Sequence, residues 1–171
     1  MSVLITGASG LLGRYIIKEL LDLGKTPIGL DITPPNLSLN CFFAEGSILD
    51  KELLARICKQ NSVKEIIHLA ALLQFGCERE PQHAIDVNVQ GTLNVLETAR
   101  RTGVKNFVFA SSGAVYGPTQ DDIDEMTPTY PGVSLYGVTK LLAEKVGGRM
   151  PSNMIFHLQP SDTGQSMDLV K

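Results

Sequence analysis

This chain contains a tyrosine and a lysine four residues apart, a spacing that suggests acid–base chemistry. Tyr136 and Lys140 would share one face of a helix. A phenol has an ordinary pKa near ~10, and a neighbouring ammonium favours the phenolate and lowers that pKa. Ser112 precedes the pair, and a serine hydroxyl can donate to a substrate oxygen. The tyrosine–lysine pair therefore suits the movement of a proton while a hydride moves, and the serine could steady the charge that develops on the substrate oxygen.

Each of these residues also has a simpler interpretation. A tyrosine and a lysine often occur at this spacing by chance, and the hydroxyl of Ser112 could bond to local backbone. Their position favours chemistry, because they follow the fifth predicted strand of the chain. In open α/β sheets, ligands bind beyond the carboxyl ends of the strands.

A glycine-rich turn stands between the first predicted strand and the first predicted helix. It contains Gly7, Gly10 and Gly13. The first glycine permits a tight turn, the second lets the backbone approach a pyrophosphate, and the third lets the helix pack on the strand. The N–H groups at the start of the helix would face the pyrophosphate. The alternative is an ordinary glycine-rich turn.

An aspartate, Asp31, ends the second predicted strand. A carboxylate there can accept hydrogen bonds from both hydroxyls of an adenosine ribose, and it would repel a 2′-phosphate. The sequence therefore predicts NAD rather than NADP as the cofactor. The alternative is a strand-end aspartate that caps the following loop.

Apolar strands alternate with helical patterns along the chain. The predicted strands are Ser2–Thr6, Pro27–Asp31, Cys41–Ala44, Glu65–Leu69, Asn106–Ala110 and Met154–Leu158. The predicted helices are Leu11–Leu23, a segment from the capping residue Asp50 to about Gln60, Pro81–Gly103 and Val133–Val146. This alternation predicts an α/β fold, a doubly wound parallel sheet of Rossmann type with helices on both faces.

The composition excludes several classes of function. The 171 residues carry a net charge of −3, and this leaves no basic excess for nucleic-acid binding as the main role. Hydrophobic residues make up 43% of the chain, enough for a sizeable core. We find neither a signal peptide nor an apolar stretch of the ~20 residues that a membrane helix needs. We therefore expect a soluble, cytoplasmic protein with no membrane partner.

The cysteines and histidines indicate no metal site. Cys41, Cys58 and Cys77 are widely spaced and form neither a disulfide framework nor a CxxC pair, which fits a reducing compartment. His83 and His157 have no partners at ligand spacing. His68, in the fourth predicted strand, is expected to be a packed or hydrogen-bonded histidine rather than an acid–base.

Five segments together resemble the motifs of one family. They are TGASGLLG at 6–13, HLAA at 68–71, NVQGT at 88–92, SSGAVYG at 111–117 and YGVTK at 136–140. From Ser2 to about Val146 the chain resembles the extended short-chain dehydrogenase/reductases, which include nucleotide-sugar epimerases and dehydratases.

The resemblance implies an NAD site and a mechanism. The implied NAD-binding residues are Gly7, Ser9, Gly10, Leu11, Leu12, Gly13, Asp31, Ser47, Ile48, Leu69, Ala70, Ala71, Asn88, Tyr136 and Lys140. Tyr136 would be the acid–base, Lys140 would lower its pKa and hold the nicotinamide ribose, and Ser112 would position the substrate oxygen. The helices at 81–101 and around Tyr136 resemble those that pair two subunits, which implies a homodimer.

The sequence also departs from the family. Ser47 follows Gly46 where an acidic residue is common, and Gln159 precedes Pro160 where arginine is common. Family members continue for a long C-terminal portion that completes the substrate site. We therefore expect an NAD-binding domain at 1–158, an irregular tail at 159–171 and a largely missing substrate-binding subdomain.

Two functions follow from these expectations. The first is an NAD-dependent oxidoreductase, epimerase or dehydratase that acts on a hydroxyl or ketone, for instance of a nucleotide-linked sugar. The second is a catalytically incomplete NAD-binding module, a sensor or a structural partner. A third possibility is that a second chain supplies the missing substrate-binding part, so that activity would require a complex. The motifs do not separate dehydrogenase, epimerase and dehydratase.

Overall fold

Six parallel strands form one sheet in this computed structural model. It describes residues 1–35, 40–117, 123–124, 126–130 and 134–149, with the backbone of 155–160. The strands are β1 (Ser2–Thr6), β2 (Thr26–Asp31), β3 (Phe42–Glu45), β4 (Glu65–His68), β5 (Asn106–Ser111) and β6 (Ile155–Pro160). Their order is β3-β2-β1-β4-β5-β6, so the direction of winding reverses between β1 and β4. The predicted parallel Rossmann-type sheet is confirmed.

The helices connect these strands. They are α1 (Leu11–Asp22), α2 (Lys51–Gln60), α3 (Gln74–Arg79), α4 (Pro81–Ala84), α5 (Thr92–Thr102) and α6 (Leu135–Gly147). Asp50 caps α2 as predicted, because its carboxylate accepts the N–H of Leu53 at 2.9 Å. Ser134 caps α6 in the same way, with its hydroxyl accepting the N–H of Gly137 at 3.0 Å.

Three elements differ from the sequence prediction. The predicted helix from Pro81 contains a π-helical stretch, Ile85–Gly91, between α4 and α5. The short helix α3 was not predicted, because its six residues are too few to show an apolar period. Strand β6 extends to Pro160, past the predicted start of the tail at Gln159, and a proline is tolerated there because β6 is an edge strand.

Some predicted segments lie outside the described residues. They are the predicted tail at 161–171, part of the acidic run at 121–125 and of the loop at 33–38, and the first residues of the predicted segments at 133 and 154.

Two apolar layers cover the two faces of the sheet. Alternate residues of a strand point to opposite faces. Val3 and Ile5 of β1 pack with Ile16 and Ile17 of α1 on one face. On the other face, Leu4 belongs to a larger cluster to which α2, α5 and α6 contribute. Helices on both faces therefore hold the sheet rigid, and the rigid sheet positions the loops at its carboxyl edge. No helix in the described part of the chain is both long and apolar enough to cross a bilayer.

The end of β4 places a polar ring inside the larger layer. His68 is fully buried, and its ring centroid lies 6.1 Å from that of Phe107 and 5.9 Å from that of Phe109. Burial and then the positive charge of Lys140 lower the pKa of His68 from 6.5 to about 3. His68 is therefore neutral in the folded protein at neutral pH, in agreement with the packed histidine expected from the sequence.

We expect His68 to make folding sensitive to acid. In the unfolded chain its pKa is the ordinary 6.5 and in the folded chain about 3, so its stabilising effect is complete above pH 6.5. That stabilisation is lost as the pH falls toward 3, by up to ~1.4 kcal/mol per pH unit. The measurement is urea unfolding of the wild type and of His68→Gln between pH 7 and 4. The difference in unfolding free energy between the wild type and His68→Gln should shrink as the pH falls. A constant difference would contradict the lowered pKa of His68.

Candidate functional site

A cleft of about 720 Å³ opens at the carboxyl edge of the sheet, where β1 and β4 meet. This volume is typical of a cofactor or small-molecule site. Of the predicted site residues, those that line it are Gly7, Gly10, Leu11, Leu12, Gly13, Asp31, Ser47, Ile48, Leu69, Ala70, Ala71, Ser112, Tyr136 and Lys140. Ser9 and Asn88 are not among the lining residues. One cleft thus joins the predicted pyrophosphate turn to the predicted catalytic set.

The glycines of the turn differ in what surrounds them. Gly7 has φ +73°, and a Cβ there would lie 2.8 Å from the backbone nitrogen of Ala70. A Cβ on Gly13 would lie 2.7 Å from the Cα of Ala8. A Cβ on Gly10 would meet only the carbonyl oxygen of Gly7, at 3.2 Å. The fold itself therefore requires Gly7 and Gly13, whereas Gly10 leaves space for a group outside the chain.

The start of α1 can attract an anion. Gly10 occupies the N-cap position without a side-chain hydrogen bond, and the first turn contains no acidic residue. The first N–H groups of a helix have no intrahelical partner and carry the positive end of the helix dipole. Leu11 and Leu12, which carry two of these groups, line the cleft. A phosphate group in the cleft would meet them directly.

Asp31 stands at the end of β2 beside this turn. One carboxylate oxygen accepts the N–H of Ser9 at 2.9 Å, and the other accepts the N–H of Thr33 at 3.4 Å. The hydroxyl of Ser9 donates to the carbonyl of Thr33. Ser9 therefore ties the turn to the loop after β2. The Asp31 carboxylate, which lines the cleft, has lone pairs left for further donors.

The floor of the cleft at this end is formed after β3. The hydroxyl of Ser47 accepts the N–H of Leu49 at 3.1 Å, and its own proton can still be donated. Ile48 is 5% exposed and packs against Gly91, where a Cβ would lie 2.5 Å from its side chain. An apolar floor beside a serine hydroxyl suits a flat, partly polar ring.

The stretch from Leu69 to Leu72 forms one wall of the cleft. The side-chain oxygen of Thr6 accepts the N–H groups of Leu69 at 3.2 Å and Ala70 at 3.3 Å. Asn88, buried behind the wall, accepts the N–H of Leu72 at 2.7 Å and donates to its carbonyl at 2.9 Å. The wall is thus fixed by side chains at both of its ends.

Asn88 also connects this wall to α6. Its amide donates to the hydroxyl of Thr139 at 3.2 Å, and that hydroxyl donates to the carbonyl of Tyr136 at 2.8 Å. The predicted cofactor residue Asn88 therefore holds local backbone around the cleft and does not form its surface.

The predicted catalytic side chains converge at the other end of the cleft. The ammonium of Lys140 is buried, donates to the carbonyl of Ala110 at 2.7 Å, and lies 4.7 Å from the ring centroid of Phe109. It is 5.6 Å from the ring centroid of Tyr136, which is within the range of a cation–π contact. Ser112 accepts the N–H of Ala114 at 3.2 Å. A phenol, a fixed positive charge and a hydroxyl are together able to move a proton at a substrate oxygen.

Sequence reasoning missed Glu144, which supports α6. Its carboxylate accepts a hydrogen bond from the hydroxyl of Ser111 and so anchors α6 to the end of β5. Because it lies four residues after Lys140, it shares the same helix face, and that spacing could have indicated it.

Sequence reasoning also missed other residues that line the cleft. Among them are Leu72, Leu73, Gln74, His83 and Val87. Within the described part of the chain, no cluster of three metal-ligating side chains is present.

Known proteins are similar to this chain in both sequence and fold. Residues 3–150 match the profile described as the NAD dependent epimerase/dehydratase family. A UDP-glucose 4-epimerase of Haemophilus influenzae is 34% identical over 163 residues, which is 85% of this chain and 47% of that protein. This chain spans about half the length of the curated relatives it matches.

Solved structures give the same result. The UDP-glucose 4-epimerase of Thermotoga maritima, solved with UDP-glucose, has a TM-score of 0.79 and 32% identity, covering 85% of this chain and 50% of that one. The UDP-glucose 4-epimerase of Brucella ovis in complex with NAD has a TM-score of 0.79 and 32% identity, covering 86% and 46%. With the profile match over residues 3–150, these likenesses show that the chain belongs to the NAD dependent epimerase/dehydratase family.

Proposed function

We propose that the chain binds NAD along this cleft and uses Tyr136, Lys140 and Ser112 for hydride-coupled proton transfer on a nucleotide-linked sugar. The observation that carries the proposal is the continuity of the cleft. It joins a helix N-terminus without a side-chain cap to a buried lysine, a tyrosine and a serine. A dinucleotide requires one continuous site that contains both the groups for its phosphates and the groups for its nicotinamide.

The residues that line the cleft could bind each part of NAD in turn. Asp31 would accept hydrogen bonds from the adenosine ribose, with Ser47 and Ile48 beside the adenine. The pyrophosphate would lie against the N–H groups after Gly10, in the space that a Cβ would occupy. The nicotinamide would lie between the Leu69–Leu72 wall and Tyr136. Bound NAD would supply a ring that accepts a hydride and returns it.

Tyr136 would exchange the proton of the substrate hydroxyl. As the sugar carbon gives up its hydride, the phenolate takes the hydroxyl proton and a carbonyl forms; the proton returns when the hydride returns. The ammonium of Lys140, fixed by Ala110, stabilises the phenolate and can donate to the nicotinamide ribose. The hydroxyl of Ser112 would donate to the substrate oxygen.

The relatives favour an epimerase of nucleotide sugars over a dehydrogenase or a dehydratase. The relatives from Haemophilus influenzae, Thermotoga maritima and Brucella ovis are UDP-glucose 4-epimerases, and the Thermotoga maritima structure holds UDP-glucose. In an epimerase the hydride would return to the opposite face of the same carbon, and no net oxidation would occur. The predicted homodimer and cytoplasmic location stay predictions.

Replacement of Gly10 should separate cofactor binding from folding. Because a Cβ there meets one protein atom at 3.2 Å and a Cβ on Gly13 meets backbone at 2.7 Å, Gly10→Ala should lower the melting temperature far less than Gly13→Ala. The methyl would push the pyrophosphate away, and NADH affinity should fall about tenfold or more. Fluorescence titration with NADH and thermal unfolding give the two readouts. Gly13→Ala is the control, and both its melting temperature and its NADH affinity should fall. Unchanged NADH affinity in Gly10→Ala would favour an ordinary turn.

Asp31 should decide between NADH and NADPH. Asp31→Asn keeps an oxygen for the N–H of Ser9 and removes the charge that repels a 2′-phosphate. The ratio of NADPH to NADH affinity should rise about tenfold, equivalent to ~1.4 kcal/mol. Calorimetric titration of both dinucleotides into the wild type and the variant measures it. An unchanged ratio would remove Asp31 from the ribose site.

Tyr136→Phe should bind NADH normally and lose turnover by about 10²-fold or more. The assay is conversion of UDP-glucose to its C4 epimer, with NADH titration beside it. The control is Tyr15→Phe, because Tyr15 is exposed on α1. Full turnover by Tyr136→Phe would contradict the mechanism. A wild-type chain that binds NADH and epimerises nothing would contradict the epimerase proposal and leave the binding proposal standing.

A further inference from the structure

The hydrogen bonds around His68 determine its tautomer. The hydroxyl of Thr92 donates its only proton to the carbonyl of Asn88, at 2.7 Å. Thr92 can therefore only accept from the ring nitrogen Nε2 of His68, which lies 3.0 Å away. Since burial keeps the ring neutral, Nε2 carries the proton and Nδ1 is an acceptor.

This tautomer in turn fixes the hydroxyl of Thr6. The side-chain oxygen of Thr6 lies 2.6 Å from Nδ1 of His68, so Thr6 must donate to that nitrogen. Its lone pairs are then free to accept the N–H groups of Leu69 and Ala70. With the other tautomer, Nδ1 would donate to Thr6 and compete with those two N–H groups.

The backbone that Thr6 holds has very little freedom to move. Gly7 follows Thr6 directly, and the position of its missing Cβ is 2.8 Å from the nitrogen of Ala70. The glycine turn and the Leu69–Leu72 wall are thus in backbone contact at the base of the cleft. A shift of a few tenths of an ångström in the wall would change the shape of the cleft above this contact.

The network lies entirely within the protein. Thr6 and His68 are fully buried and Thr92 is 2% exposed. Within a low-dielectric interior, water is not present to replace a lost partner, so the direction of each hydrogen bond is strongly enforced.

We propose that His68, as the neutral Nε2–H tautomer, is a positioning residue for the bound dinucleotide. It acts through Thr6 on the Leu69–Ala70 backbone, and Thr92 fixes its orientation. The inference rests on the proposed function, because the wall it holds is the proposed nicotinamide side of the NAD site.

Two variants and a control test the inference. His68→Leu leaves the Thr6 hydroxyl without its acceptor and should weaken NADH binding about tenfold. His68→Asn can offer a side-chain oxygen to Thr6 and should recover affinity to within about threefold of the wild type. Leu54 of α2 belongs to the same apolar cluster, so Leu54→Ala should lower the melting temperature and leave NADH affinity unchanged. Equal loss of affinity in Leu54→Ala, or none in His68→Leu, would overturn the inference.

Two measurements keep the inference testable without bound cofactor. The ¹⁵N shifts of His68 in the wild type should show a protonated Nε2 and an unprotonated Nδ1; the reverse would overturn the assignment. In Thr92→Val, amide exchange at Ala70 should accelerate about fivefold or more because its acceptor is no longer held; unchanged exchange would contradict the relay. A wild type that fails to bind NADH would contradict the proposed function, while these two results would still test the relay.

Discussion

The backbone contact between the glycine turn after β1 and the wall after β4 is the constraint on which the rest of the structure depends. β1 and β4 are neighbouring parallel strands at the reversal of the sheet, so the chain leaves both at the same edge. The missing side chain at Gly7 permits the turn to approach the nitrogen of Ala70. A larger residue at that position would separate the two segments and widen the base of the cleft.

Polar side chains hold this contact from behind. Thr6 binds the beginning of the wall and Asn88 binds its end, and the amide of Asn88 reaches Thr139 on α6. The position of α6 relative to the glycine turn is therefore set through hydrogen bonds as well as through apolar packing. In our account, the separation between the pyrophosphate site and Tyr136 depends on these buried bonds.

Local patterns in the sequence were enough to predict the sheet, the cap at Asp50 and the cleft position of Ser112 and Lys140. Each depends on residues close together in the chain, or on the general rule that ligands bind at the carboxyl edge of a parallel sheet. The π-helical stretch was not predicted because it barely changes the apolar period of the helix around it, and α3 was not predicted because six residues are too few to show a period.

The supporting contacts could not be predicted for a different reason. Thr6 and His68 are 62 residues apart in the chain, and Asn88 and Thr139 are 51 apart. No pattern within a single element specifies which polar groups will meet at such separations. Their pairing follows from packing of the sheet against its helices, and it becomes apparent only when the fold is known.

The most direct test of the central claim, that one cleft holds the whole dinucleotide, is a crystal structure of this chain with NAD. The account predicts a pyrophosphate on the N–H groups of Leu11 and Leu12, an adenosine ribose on Asp31, and a nicotinamide ring beside Ser112 and Tyr136. A dinucleotide bound elsewhere, or crystals that remain free of it at saturating NAD, would contradict the account.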